Sequence, residues 1–140
     1  MTSQLVYQRI RNRIIEVLEL LIKSENSSPK FQLNELINFW EDWINSPLQE
    51  NEFPMPVYTE AEDKLLREVS SAINAFCEVT PKSITNEAEA MALPEWSAVI
   101  VTARSAHIAM MKRGKFSEDK TFSSFQRSAL NANEDAPASR

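Results

Sequence analysis

A single glycine, Gly114, stands in a chain of 140 residues that also carries seven prolines. Tight hairpins depend on residues that tolerate positive φ, and glycine is the usual supplier. A sheet protein of this length needs several such turns. The scarcity of glycine therefore points to helices, whose connections can be made from Pro, Ser, Asn and Asp. The one glycine follows Lys112-Arg113 at the end of an apolar repeat, which suits a helix C′ position.

Apolar periodicity supports that reading. Tyr7, Ile10, Ile14, Val17, Leu18 and Leu21 recur on one stripe and predict a helix over about residues 4–23. Ile15 and Ile22 widen its arc, as expected for a helix packed on two sides. Ser24 to Pro29 reads as a loop. A second helix is predicted over about 34–45, with Asn34 as N-cap and Leu36, Ile37, Trp40, Trp43 and Ile44 facing inward. Ser46-Pro47 stops it.

Thr59 and Glu62 have the spacing of a capping box and open a third helix. Leu65, Leu66, Val69, Ala72, Ile73 and Phe76 continue it to Thr80-Pro81. Thr85 is the expected cap of a short helix over 86–92. Pro94 suits the first position of the last helix, whose stripe is Trp96, Val99, Ile100, Ala103, His107, Met110 and Met111. The expected fold is all-α, a single-domain bundle of four main helices plus a short one over residues 1–122. The broad arcs of the first and last helices should pack together at its centre, and residues 123–140 should form a disordered tail.

The chemistry available to this chain is narrow. One cysteine, Cys77, excludes an intrachain disulfide and fits a reducing, cytoplasmic setting. One cysteine and one histidine rule out the usual zinc sites. His107 lies in an apolar stripe with no partner nucleophile in sequence, and a hydrogen-bonded core histidine is the expectation. Cys77 sits at the C-terminal end of its helix, where the dipole opposes a thiolate. The Glu-x-x-His spacing of helical di-metal sites is absent. No phosphate loop or nucleophile elbow is present, and no run of about 18 apolar residues could span a membrane. The expectation is a non-enzyme without cofactor or metal.

Charge is the remaining signal. Residues 1–30 hold five basic and three acidic side chains, residues 31–95 three and thirteen, and residues 96–140 seven and four. The acidic middle repels phosphate, which argues against nucleic acid and for a basic protein partner. Arg9, Arg11 and Arg13 border the first apolar stripe, so their stems can cover neighbours while their heads pair with the acidic middle.

The connection at 46–58 is long for a helical domain and carries Phe53, Met55 and Val57, which look exposed. The candidate partner-binding set is Glu35, Glu41, Asp42, Glu50 and Glu52 for steering charge, with Phe39, Phe53 and Met55 as apolar anchors. The alternative is a helical regulatory or scaffold protein acting as a homodimer through its first and last helices.

Four segments carry a resemblance: Arg11-Asn-Arg-Ile-Ile-Glu-Val-Leu-Glu-Leu, Phe39-Trp-Glu-Asp-Trp-Ile, Leu93-Pro-Glu-Trp and Arg113-Gly-Lys-Phe-Ser-Glu-Asp. Over about residues 5–120 the chain resembles a group of small, all-helical bacterial proteins. In size, helicity and acidity it is also similar to immunity proteins encoded beside contact-dependent or other polymorphic toxins. That likeness implies a cytosolic inhibitor of one cognate, basic toxin domain, often a nuclease. It assigns no functional residues.

Overall fold

The computed structural model describes residues 3–25 and 32–121, and the tail expected at 123–140 lies outside them. Five helices follow in order: α1 Gln4–Lys23, α2 Leu33–Trp43, α3 Glu60–Glu78, α4 Glu87–Met91 and α5 Pro94–Met111. No strand occurs among the described residues. The protein is an all-α bundle, as the glycine count and periodicities predict.

α5 is the hub. It packs most extensively on α3, then on α1, and touches α4. The first and last helices do meet, but α5 leans harder on α3 than the breadth of the α1 arc suggested. Ala103 and Ala106 are fully buried on α5, and their small side chains allow close approach of neighbouring helices. Phe76 of α3 and Trp96 of α5 fill the core where the two helices meet, their ring centroids 4.8 Å apart. α1 spends its wide arc on both flanks: Ile14, Ile15, Leu18 and Leu21 are all buried, against α5 on one side and α2 on the other. α2 is tied to α3 by the Trp40 indole N–H, which donates to Ser70 Oγ at 3.1 Å.

Two helix starts differ from expectation. α2 begins at Leu33 with Gln32 as N-cap, and the Glu35 carboxylate accepts from Gln32 N at 3.0 Å. Asn34 lies inside the helix, where its side chain exchanges hydrogen bonds with the backbone of Ile84. Glu87 of α4 accepts from the free Leu33 N–H at 2.9 Å. A tertiary carboxylate thus satisfies the first helical donor, which an N-cap side chain does not take. α4 is capped by Asn86, which accepts from Glu89 N, rather than by Thr85. The Thr59–Glu62 box of α3 forms as predicted.

Candidate functional site

A buried ionic knot fixes the end of the molecule on which the candidate site is built. Arg11 is fully buried. Its guanidinium donates to Glu62 Oε1 and Oε2 at 2.7 and 3.2 Å, and to the carbonyls of Val57, Met110 and Gly114 at 3.0, 2.9 and 3.1 Å. Those five bonds use all five guanidinium donors. Arg113 adds a second guanidinium to Glu62 Oε1 at 3.0 Å and bonds the Pro56 and Val57 carbonyls. The Phe116 ring takes both cations, with centroid distances of 4.4 Å to Arg11 and 5.0 Å to Arg113. Burial alone would raise the Glu62 carboxyl. The hydrogen bonds and charges of the two arginines outweigh it and hold the group below the ordinary carboxylate range.

Arg11 therefore pairs with the acidic middle, as expected. Arg9 and Arg13 do not. Arg9 donates to the Glu118 carbonyl, and Arg13 pairs with the Glu118 carboxylate at 2.6 Å and with Glu16. Together with Gln8 and Asn12 they strap residues 114–120 across α1: Gln8 donates to the Ser117 and Lys120 carbonyls, and Asn12 bonds both the N–H and the carbonyl of Phe116. The Arg11-Asn-Arg and Arg113-Gly-Lys-Phe-Ser-Glu segments are thus two halves of one clasp.

The connection at 44–59 lies beside this knot and is built into the fold. Glu52 is its bracket, accepting from Asn45 N and Nδ2 and from Gln49 N at 3.0–3.1 Å. Arg67 of α3 pins it by donating to the Gln49 and Glu50 carbonyls while its Nε bonds Asp63. Phe53 and Val57 are 5 % and 1 % exposed. This corrects the expectation that they face solvent. Phe53 stacks edge-on against Tyr58 at 5.3 Å with the Arg67 guanidinium over its ring, so it cannot serve as a surface anchor. Met55 is 73 % exposed, as expected of one.

The rest of the candidate set divides the same way. Glu35, Glu41, Asp42 and Glu50 are exposed. Glu52 is half-buried in its bracket, and Phe39 is half-buried against the core. Trp43, assigned to the inner stripe of its helix, is 41 % exposed. α2 ends at this residue, and the chain then turns away, so its last turn is only partly covered.

That overhang helps to make a hollow of about 260 Å³ between α1 and the connection. Tyr7, Trp43, Phe53 and Tyr58 give it aromatic walls, Ile10 and Ile14 line it from α1, and Asn45, Gln49, Asn51 and Glu52 supply its polar side. Burial pushes the Tyr58 hydroxyl far up; Arg11 opposes that push, and the Glu62 and Glu52 carboxylates add to it. Sequence reading missed Tyr7, Trp43, Asn45 and Tyr58 as members of one site. They come from three separate segments, and no spacing rule joins them.

The other candidates for chemistry are plain. His107 is not enclosed in the core. Its side chain is 24 % exposed, and its Nε2 lies 3.0 Å from Glu19 Oε2 on α1. Cys77 is exposed, and partial burial of its thiol together with the Glu41 charge raises its pKa. No group of three or more His, Cys, Asp or Glu comes together to hold a metal among the described residues, and no described helix is long and apolar enough to cross a membrane.

Thirteen acidic residues lie between 31 and 95. Among the described residues only Glu62 and Asp63 of these enter an ion pair. Glu35, Glu41, Asp42, Glu50, Glu60, Glu68, Glu78 and Glu89 face water. No family model matches the chain, and neither the curated proteins nor the solved structures give a match.

Proposed function

We propose that this protein is a non-catalytic binding module that neutralises a basic partner domain through its acidic middle third, in the manner of an immunity protein acting on a toxin. One observation carries the reading: most carboxylates of that third stay outside internal ion pairs and point to solvent. A stability role would have consumed them. Uncompensated like charge weakens the compact state, and its use is to speed encounter with an opposite surface and to reject like-charged ones. Exposed Met55 and the open side of Trp43 are the apolar area next to this charge in sequence, and such residues hold a complex once charge has steered it.

The test is kinetic. A domain captured from the native host by the tagged protein should be basic. Its association rate should fall steeply as salt rises, and neutralising Glu41, Asp42 and Glu50 together should lower that rate without lowering thermal stability. A partner that is not basic, or a rate indifferent to salt, ends the reading. Co-expression tests neutralisation itself: cells carrying the partner domain should survive only when this protein is present.

A second reading, a homodimer, is favoured by the outer face of α5. Val101, Ile108 and Met111 are 60 %, 65 % and 44 % exposed on one stripe. An antiparallel pair with its two-fold between Arg104 and Ser105 sets Val101 of one copy against Ile108 of the other, and Ala98 against Met111. Small residues then oppose large ones, as an isologous contact requires. Sedimentation at micromolar concentration decides: a monomer removes this reading and leaves the first intact.

A further inference from the structure

We propose that the hollow between α1 and the 44–59 connection is the receptor for one arginine side chain of the basic partner. The inference rests on the proposed basic partner and goes further by naming the group that is held and the place that holds it.

Size comes first. At about 260 Å³ the hollow falls below the roughly 300–1,000 Å³ of pockets that enclose small molecules and cofactors. It suits a side chain inserted from outside. Chemistry comes second. Aromatic faces attract a cation by their quadrupole, and tryptophan does so best. Trp43 contributes a wall and is 41 % exposed, so part of its surface is open to an arriving group. The polar side is made by Asn45, Gln49, Asn51 and the Glu52 carboxylate, residues whose side chains carry hydrogen-bond acceptors. A planar guanidinium can stack on a ring and fork its N–H groups toward such acceptors at once, which a lysine ammonium cannot do.

Charge comes third. Two cations already lie near the walls, Arg67 over Phe53 and Arg11 over Tyr58, each 5.8 Å from the ring centroid. Both are bonded inside the fold, Arg67 to Asp63 and Arg11 to Glu62, which it shares with Arg113. Among the described residues Glu52 enters no ion pair, and its oxygens accept from neutral amide and backbone donors. An entering guanidinium gives that carboxylate a cationic partner.

The direct test is a nuclear magnetic resonance titration of the full chain with N-acetyl-arginine amide, read at the Trp43 indole N–H. Saturable shifts are expected at probe concentrations on the order of millimolar, the affinity of a single side chain. The neutral isostere N-acetyl-citrulline amide should give none. Trp43→Ala should abolish the shifts of neighbouring Asn45 and Asn51 amides at a temperature where circular dichroism shows the variant still folded, since a tryptophan more than half buried also contributes to stability. In the complex, Trp43→Ala should weaken affinity about 10- to 30-fold, the range of a partly desolvated cation–π contact.

Equal shifts with the citrulline amide, or no shifts with the arginine amide, overturn the inference. So does a Trp43→Ala protein that binds its partner as tightly as the parent. These failures are separable from failure of the acidic-surface reading. Salt-steered binding with an unresponsive Trp43 sinks only the hollow. A responsive Trp43 in a protein whose partner is not basic leaves an arginine-binding site and removes the steering role.

Discussion

At the residue scale, Glu62 carries the largest burden. It is the third residue of the α3 capping box, accepting from Thr59 N at 2.9 Å, and it also faces both Arg11 and Arg113. Removing one partner of a buried ion pair leaves the other charge stranded, which costs about 3–5 kcal/mol. Glu62→Gln should therefore lower stability by that order in a denaturant titration. Gly114 is the converse case. It adopts φ +74, and a Cβ there would meet nothing within 4 Å. The penalty of Gly114→Ala is then conformational alone, about 1–2 kcal/mol, and a larger loss would show that the turn carries more than backbone freedom. The sequence placed this glycine at a helix C′ position; with Lys112 as the C-cap it stands one residue beyond that, and its N–H donates to Met110 O at 2.8 Å. Its further use, offering its carbonyl to Arg11, was hidden because the two lie far apart in the chain.

At the element scale, local rules held where the local environment was sufficient. The start of α3 was legible from Thr59 and Glu62 because both halves of the box lie within four residues. Thr59→Ala should cost about 1 kcal/mol, a loss that thermal unfolding can resolve. The start of α2 was not legible, since its first N–H is satisfied by Glu87 from another helix. The connection at 44–59 shows the same limit for burial. Phe53, Met55 and Val57 alternate in sequence, yet Phe53 and Val57 are buried and Met55 is exposed. Which of them turn inward depends on Arg67 and on the Glu52 bracket, neither of which leaves a periodic trace. Trp43 errs in the other direction, for its spacing fits the inner stripe of α2 and only the end of the helix exposes it.

At the scale of the whole molecule, pH and salt should act on different parts. The Glu62 pKa is depressed in the folded state. In the unfolded chain it titrates near the ordinary value of about 4.3. The stabilisation it supplies is complete above that value and is lost as pH falls from there through the lower folded pKa, because the unfolded chain takes up its proton first. Stability measured from pH 7 downward should hold to about pH 5 and then decline, and the Glu62→Gln protein should lack that component of the decline. Salt should leave this buried cluster nearly untouched while screening the exposed carboxylates of the middle third over about 8–10 Å. A stability that fell steeply with added salt at neutral pH would show instead that surface pairs such as Arg104 with Glu25 hold the fold together.

Helix number, order and most inner faces were decided by the chain itself, because a helix is built from contacts three and four residues apart and its pattern is written locally. The crowding of acidic residues into the middle third was equally plain, being a matter of composition. The roles of individual charges were not. Glu62, Asp63, Glu52 and Glu87 look no different in sequence from Glu41 or Glu50, yet the first four are used within the fold and the last two face water. That division is set by which backbone and side-chain donors other segments bring within hydrogen-bonding distance. The aromatic hollow has the same origin, since Tyr7, Trp43 and Tyr58 share a wall only after α1, α2 and the connection have packed.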